Sequence, residues 1–284
     1  MKNETFKILS DPKEIFSLND KVILILGGAG KMGQEFSSIL SKSGATVYII
    51  DLDQKNIDKI LKDFSNKNIS RVKGFKCDLM NESDIKKCFS SILKAEGRID
   101  VMIYNVYSKP KDYYKPLEDY PVETWEKAIS ANVKGAFICS KEIVKIFKEK
   151  KISGNIILTL STYGLVSPDH KIYENLDSSK NIYGAEDSLT SPMVYSVSKS
   201  GLLGMVKWLA GAYGKHNIRV NGLTPGGVYD GQEENFHKAY LERVPLGRMA
   251  NWSDYNGAIL FLSSDASQYM TGSNLVIDGG WTCL

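Results

Sequence analysis

The fold is decided by the stretch Lys21–Gly33, which reads KVILILGGAGKMG. Its first part, Lys21–Leu26, is an apolar run of strand length, and a helix is predicted from Gln34 to Ser43 behind the glycines. The turn between them holds the pattern GxGxxG, which is informative only between a strand and a helix. Glycines there let a pyrophosphate approach backbone N–H groups, and the helix N-terminus adds a favourable dipole. The stretch therefore predicts a dinucleotide-binding turn.

Strands and helices alternate through the rest of the chain. Further strands are predicted at Ala45–Ile50, Arg71–Lys76, Val101–Tyr104, Asn155–Leu160, Arg219–Leu223 and Asn274–Ile277. Further helices are predicted at Asn56–Phe64, Glu82–Glu96, Val122–Lys148, Ser196–Tyr213 and Asn256–Leu262. This alternation favours a parallel sheet with helices on both faces. We therefore expect an α/β fold, a Rossmann-type doubly wound parallel sheet, in a single domain over residues 1–284 whose residues 1–17 form an N-terminal extension.

Composition and charge exclude several classes of protein. The formal net charge of +3 over 284 residues, without a basic run, argues against a nucleic-acid partner. No apolar run is long enough to span a membrane, and Met1–Asp20 carries charges where a signal peptide would be apolar. The three histidines and four cysteines have no metal-ligand spacing, so no metal is expected. We expect a cytoplasmic protein.

The acidic residue at the end of the second predicted strand indicates which nucleotide is bound. Asp51 lies at the spacing from the glycine turn at which a carboxylate accepts hydrogen bonds from both ribose hydroxyls of NAD. It would repel the 2′-phosphate of NADP, whereas Lys31 in the turn would attract that phosphate. We expect the repulsion to prevail, and therefore NAD rather than NADP as the cofactor. The alternative is that Asp51 is a solvated carboxylate at a strand end.

A tyrosine and a lysine on one predicted helix are the candidate chemical groups. Tyr195 and Lys199 are four positions apart, which brings their side chains to one helix face. A nearby ammonium favours the phenolate and so can lower the tyrosine pKa from its ordinary value of about 10. Such a phenol can accept a proton from an alcohol in oxidation and return it in reduction. The spacing alone is common on helix surfaces, so its meaning depends on the surrounding residues.

Two further polar residues supply that context. Ser161 follows the fifth predicted strand, where a hydroxyl at the carboxyl end of the sheet can hydrogen-bond a substrate oxygen. Asn132 lies inside a predicted helix, where asparagine is mildly unfavourable, and it can mark a local kink that holds a water molecule. The alternative for Asn132 is a tolerated polar residue.

Together these motifs resemble the short-chain dehydrogenase/reductase family along nearly the whole chain, from about residue 18 to residue 281. The order of motifs includes Asp78-Leu79 after the third strand and Pro225-Gly226 after the sixth. The resemblance implies that Tyr195 is the acid and base and that Ser161 polarises the reacting oxygen. It also implies that Lys199 binds the nicotinamide ribose and lowers the tyrosine pKa, and that Asn132 holds a proton-relay water.

The same resemblance supplies the expected cofactor contacts. They are Gly27, Gly30, Lys31, Met32, Gly33, Asp51, Asp78, Leu79, Asn105, Val106, Tyr195, Lys199, Pro225, Gly226 and Val228. The chain departs from the family pattern at three places. Lys31 stands where many members have glycine, Tyr107 is expected to crowd the region between the cofactor and the substrate, and Asp230 replaces a common threonine.

The segment between Ser161 and Tyr195 is longer than is usual in the family. Its extra part, Ser167–Ser191, is polar, and we expect it to be a loop that covers the substrate, because long loops in compact domains are usually functional. A hydroxyl-rich or charged ligand suits it better than a steroid or a fatty chain. The expected substrate contacts are Tyr107, Tyr163, His170, Tyr173 and Glu174. This insertion, with Pro225–Val228 and Asp278–Trp281, is similar to dehydrogenases of surface-sugar, flagellin-modification and legionaminic-type nonulosonic acid biosynthesis.

Three functions remain open at the level of sequence. The first is an NAD-dependent dehydrogenase or reductase of a sugar or sugar nucleotide in surface-glycan or flagellin-glycan biosynthesis. The second is a 3-oxoacyl-carrier reductase, which usually prefers NADP and needs no long polar loop. The third is a dinucleotide-binding sensor without catalysis, which would not need all four chemical residues. The family resemblance also implies a homo-oligomer, a dimer or tetramer, and apolar Val206, Trp208 and Leu209 are compatible with either an interface or the core.

Overall fold

The computed structural model describes residues 11–174, 176–177 and 189–284. Its parallel strands are β1 (Val22–Leu26), β2 (Thr46–Asp51), β3 (Val72–Lys76), β4 (Val101–Tyr104), β5 (Asn155–Thr159), β6 (Arg219–Pro225) and β7 (Asn274–Ile277). They form one seven-stranded sheet in the order β3-β2-β1-β4-β5-β6-β7. The strand order reverses between β1 and β4, which opens a crevice at their carboxyl ends. The expected single-domain, doubly wound α/β fold is confirmed.

Helices cover both faces of the sheet. They are α1 (Pro12–Ile15), α2 (Lys31–Lys42), α3 (Gln54–Asn66), α4 (Glu82–Glu96), α5 (Val122–Ile129), α6 (Gly135–Lys150), α7 (Met193–Tyr213), α8 (Glu234–Leu241) and α9 (Asn256–Ser263). One core packs α4, α6 and α7 against the sheet, and the opposite core packs α2 and α9 against it. All five β1 side chains are buried, as expected for a strand covered on both faces.

The predicted elements agree with the structure to within a few residues, apart from the short helix α1, which was not predicted, and two further exceptions. The predicted helix Val122–Lys148 is interrupted by a π-helical segment, Ser130–Lys134, so the irregularity expected at Asn132 is present. Helix α8 was not predicted, although Glu233 accepts hydrogen bonds from the N–H groups of Asn235 and Phe236 at its start.

Two predicted segments lie partly outside the described residues. Of the N-terminal extension, residues 1–10 are outside them, and residues 12–15 form α1. Of the insertion 167–191, residues 175 and 178–188 are outside them. Among the described helices, none combines the length and the apolar character needed to cross a membrane.

Candidate active site

A cavity of about 760 Å³ opens at the carboxyl ends of the central strands. Every residue expected to contact the cofactor lines it, except Gly33. A Cβ on Gly33 would lie 2.6 Å from the carbonyl oxygen of Gly28. Gly33 therefore lets α2 pack directly on the turn. Its expected role as a cofactor contact stays a prediction.

The glycine turn has the shape that a dinucleotide needs. Gly27 has φ 74°, and a Cβ on it would meet the Asn105 carbonyl oxygen at 2.9 Å, so only glycine fits between β1 and the segment after β4. Gly30 precedes α2, and a Cβ on it would have only the Gly27 carbonyl oxygen nearby, at 3.7 Å. The open side of the turn and the N–H groups of the first α2 turn thus fit a pyrophosphate.

Asp51 at the end of β2 is held by the turn that it faces. One carboxylate oxygen accepts a hydrogen bond from the Ala29 N–H at 3.1 Å, and the other accepts one from the Leu52 N–H at 2.8 Å. Asp78 lies further along the same side of the cavity and accepts a hydrogen bond from the Met80 N–H at 2.9 Å. A fixed carboxylate beside the turn is suited to accept hydrogen bonds from ribose hydroxyls.

Lys31 and Asp230 form an ion pair at the cavity. Lys31 is the first residue of α2, and Asp230 lies in the segment after β6. The lysine ammonium also lies 6.0 Å from the centre of the Trp252 ring. Two of the three residues that depart from the family pattern are therefore partners, and the charge of Lys31 is compensated by Asp230.

Ser161, Tyr195 and Lys199 line the same cavity. The turn after β5 packs directly on α7, because a Cβ on Gly164 would lie 2.9 Å from the Cβ of Lys199. Ser161 begins this turn, and its hydroxyl hydrogen-bonds with the phenol of Tyr195. The ammonium of Lys199 donates a 2.8 Å hydrogen bond to the Thr159 carbonyl and lies 5.9 Å from the centre of the Tyr195 ring.

Burial sets the protonation of this group. It raises the pKa of Tyr195, while the hydrogen bond with Ser161 lowers it by less. Burial also lowers the pKa of Lys199 to about 8, because a desolvated ammonium is disfavoured. The Lys199 ammonium hydrogen-bonds to the Thr159 carbonyl. The expected lowering of the tyrosine pKa by Lys199 stays a prediction.

Asn132 is fully buried in the π-helical segment and does not line the cavity. Its side-chain oxygen accepts a hydrogen bond from the Ser108 N–H, and its amide donates one to the Ser198 hydroxyl, both at 3.2 Å. The side chain therefore fastens the segment after β4 to α7. Its expected role in holding a relay water stays a prediction.

Aromatic side chains form the substrate end of the cavity. The Tyr107 ring lies 5.1 Å from the Tyr195 ring, and the hydroxyls of Tyr173 and Tyr163 are 3.2 Å apart. All four tyrosines line the cavity. His170 and Glu174 do not; they line an adjoining cavity of about 810 Å³, and their expected contact with the substrate stays a prediction. The two cavities share Tyr163 and Tyr173, so the adjoining cavity extends the substrate end.

Several lining residues were missed by sequence reasoning. They are Ser108, Lys109, Tyr114, Gln232, Phe236, Tyr240, Met249 and Trp252, among others. Phe236 and Tyr240 belong to α8, which the amphipathic spacing of the segment after Glu233 could have revealed. Tyr240 is held in this wall by two contacts: its hydroxyl accepts a hydrogen bond from the Gly227 N–H at 2.7 Å, and its ring stacks on the Trp281 ring with the ring centres 4.5 Å apart.

Within the described residues, no group of three or more histidines, cysteines or carboxylates is placed to hold a metal ion. Cys77, Cys88 and Cys139 are free and buried in the sheet–helix core, and Cys283 is free and exposed. Burial raises the pKa of the Cys139 thiol, so this group is protonated at neutral pH.

A glycine turn, a strand-end carboxylate, a buried serine and lysine and a half-buried tyrosine around one cavity define a nicotinamide-dependent oxidoreductase. The family model described as short chain dehydrogenase matches residues 21–173, and the model described as Enoyl-(Acyl carrier protein) reductase matches residues 179–282. The chain belongs to the short-chain dehydrogenase family and is an NAD(P)-dependent oxidoreductase.

Named relatives agree with this assignment. An NADP-dependent mannitol dehydrogenase of Alternaria alternata is 29% identical, over 95% of both chains. The post-translational flagellin modification protein A of Campylobacter coli is 26% identical, over 93% of this chain and 99% of the relative. The crystal structure of a short chain dehydrogenase from Leptospira borgpetersenii with bound NAD+ is 30% identical, with a TM-score of 0.82 over 99% of this chain and 100% of that chain.

Proposed function

We propose that this protein transfers hydride between NAD and a secondary alcohol or ketone of a sugar, sugar nucleotide or polyol, in surface-glycan or flagellin-glycan biosynthesis. The observation that carries the proposal is the meeting of Ser161, Tyr195 and Lys199 at the end of a cavity whose other end is the glycine turn. The polyol and flagellin-modification names of two relatives support the substrate class, as does the polar insertion.

The chain's own residues handle the proton. In oxidation the phenolate of Tyr195 takes the proton from the alcohol O–H, and the Ser161 hydroxyl orients that oxygen. A positive Lys199 beside the phenol favours the phenolate and is placed to bind a ribose hydroxyl. The nicotinamide supplies the hydride acceptor or donor. Reduction runs the same proton path backwards, because the phenol then returns its proton to the new alkoxide.

The proposed NAD preference is based on Asp51 and Lys31. The Asp51 carboxylate is fixed beside the turn and would face the 2′-phosphate of NADP. Lys31, the cation in the turn that would attract this phosphate, is instead paired with Asp230. Because relatives with NAD and with NADP both exist, the preference rests on these two side chains.

Replacing Asp51 by asparagine is expected to shift the preference towards NADP. The change keeps the size and one hydrogen-bond acceptor but removes the repulsive charge, so the ratio of the Kd for NADPH to that for NADH should fall by about 10-fold. Fluorescence titration of both reduced nucleotides measures the ratio. The control is Asp53→Asn, since Asp53 caps α3 without lining the cavity and asparagine caps equally well. A wild-type protein that prefers NADPH would contradict the assignment.

A substrate panel tests the proposed function. Purified protein with NAD should oxidise polyols and sugars, and the reduced nicotinamide that forms is measured by its near-ultraviolet absorbance. It should not oxidise a 3-hydroxyacyl thioester. Turnover of the thioester alone would favour the 3-oxoacyl-carrier reductase. Nucleotide binding without turnover of any member would favour the sensor.

Homo-oligomerisation to a dimer or tetramer and a cytoplasmic location stay predictions; Val206 and Leu209 are core residues, whereas Trp208 is 66% exposed.

A further inference from the structure

An ion pair joins two distant parts of the cavity wall. Lys31, in the glycine turn, is the first residue of α2, and Asp230 lies in the segment that follows β6. In the sheet, β1 and β6 are separated by β4 and β5. Both side chains line the cavity, so the pair crosses it from the end of β1 to the end of β6. The charge of Asp230 also acts on Lys109, but its carboxylate hydrogen-bonds to Lys31.

The two partners differ in how firmly they are held. The Asp230 N–H donates a 2.7 Å hydrogen bond to the side-chain oxygen of Gln232, and the Gln232 amide donates one of 2.7 Å to the Val228 carbonyl. Gln232 is itself buried, so the backbone that carries Asp230 is held in place. The Lys31 side chain is 59% exposed and has a flexible stem. Lys31 is therefore the partner that can turn to another anion.

The pyrophosphate of a dinucleotide is such an anion. It fits at the open glycine turn and the N-terminus of α2, and Lys31 is the first residue of that helix. Lysine binds phosphate oxygens as a point charge. A carboxylate held against the same ammonium brings a second negative charge close to the pyrophosphate and repels it. Because exposed ion pairs contribute little stability, the pyrophosphate can take the place of Asp230 at Lys31.

We propose that Asp230 competes with the nucleotide pyrophosphate for Lys31, and that this competition weakens nucleotide binding and speeds release of the product nucleotide. The ion pair with Asp230 and the contact with pyrophosphate are alternatives for one ammonium. Both NAD and NADP carry a pyrophosphate, so the inference depends on neither the proposed substrate nor the proposed NAD preference. Nucleotide release is a step that limits turnover in many enzymes, and Asp230 acts on that step.

The Kd for NADH of the full-length protein and its variants tests the competition. Asp230→Asn keeps the size of the side chain and removes its charge, so NADH should bind about 5-fold more tightly. The gain should appear mainly as slower dissociation of NADH, measured by rapid mixing with excess NAD. Lys31→Met loses the contact with pyrophosphate and should bind NADH about 10-fold more weakly.

The double variant separates competition from simple repulsion. In Lys31→Met there is no ammonium for Asp230 to withhold, so adding Asp230→Asn should tighten NADH binding by less than about twofold. ADP-ribose, which carries the pyrophosphate without the nicotinamide, should show the same gain in Asp230→Asn as NADH does. Fluorescence titration measures NADH, and displacement of NADH measures ADP-ribose.

Asp265→Asn is the matched control, because Asp265 forms an exposed ion pair with Lys21 outside the cavity. This variant should bind both ligands as the wild type does. Unchanged or weaker NADH binding in Asp230→Asn would overturn the inference, as would an equal gain with and without Lys31. A gain confined to NADH, or absent NADH binding by the wild type, would also overturn it. None of these measurements needs turnover, so failure to oxidise any sugar or polyol would remove the proposed function and leave this inference standing.

Discussion

Replacing Tyr195 by phenylalanine is expected to lower kcat by about 10²- to 10⁴-fold, the contribution of a positioned acid and base. The ring and its packing are kept, and only the hydroxyl that exchanges the proton is lost. The Kd for NADH should change by less than about twofold, because in the proposed mechanism the lost hydroxyl contacts the substrate oxygen. Steady-state kinetics with any active substrate and a fluorescence titration of NADH measure the two quantities.

The matched control for this variant is Tyr213→Phe. Tyr213 is the last residue of the same helix, α7, and does not line the cavity. The kcat of Tyr213→Phe should therefore equal that of the wild type. A Tyr195→Phe protein that keeps full turnover would remove Tyr195 from the mechanism. An equal loss in both variants would point to damage to α7 rather than to proton transfer.

Replacing Lys199 by methionine is expected to lower kcat/KM at least about 100-fold and at the same time to stabilise the fold. Folding must bury this ammonium, which lowers the lysine pKa to about 8 from an ordinary value of 10.5. Below pH 8, this pKa difference lowers the free energy of unfolding of the wild type by at most about 3 kcal/mol. The loss of the hydrogen bond to the Thr159 carbonyl offsets part of the gain.

The pH dependence of this gain has a definite sign. Between pH 8 and 10.5 the unfolded chain binds the lysine proton and the folded protein does not, so wild-type stability rises with pH there. The stability advantage of Lys199→Met should therefore be largest below pH 8 and shrink above it. Thermal unfolding at several pH values measures it, with Lys207→Met, an exposed lysine of the same helix, as the control. An advantage independent of pH would contradict the burial argument.

Local sequence patterns were sufficient to predict most of the strands and helices of the fold. The β4 and β7 boundaries agree with their predictions, because short apolar runs between turn signals are local features. The irregular helix at Asn132 was also foreseeable, since asparagine is unfavourable inside a helix. Helix α8 was missed because it is short and follows a loop without a strand to mark its place.

The cavity was predicted less completely than the sheet. Motifs placed the glycine turn, Asp51 and Tyr195 around it, since each follows a strand end or starts a helix. The ion pair of Lys31 with Asp230 joins residues 199 positions apart, and no local pattern relates them. His170 and Glu174 were expected to contact the substrate on polarity alone, which carries no direction, and they line the adjoining cavity.

In the proposed mechanism, hydride passes between the carbinol carbon of the substrate and a nicotinamide in this cavity, while Tyr195 exchanges the proton of the substrate hydroxyl. The most direct test incubates the purified protein with NAD and a panel of polyols and sugar acids deuterated at their carbinol carbons, and weighs the nucleotide by mass spectrometry. We expect wild type to form reduced nucleotide that carries one deuterium from the substrate, and Tyr195→Phe to form none. Reduced nucleotide without deuterium, or equal labelling in Tyr195→Phe, would contradict it.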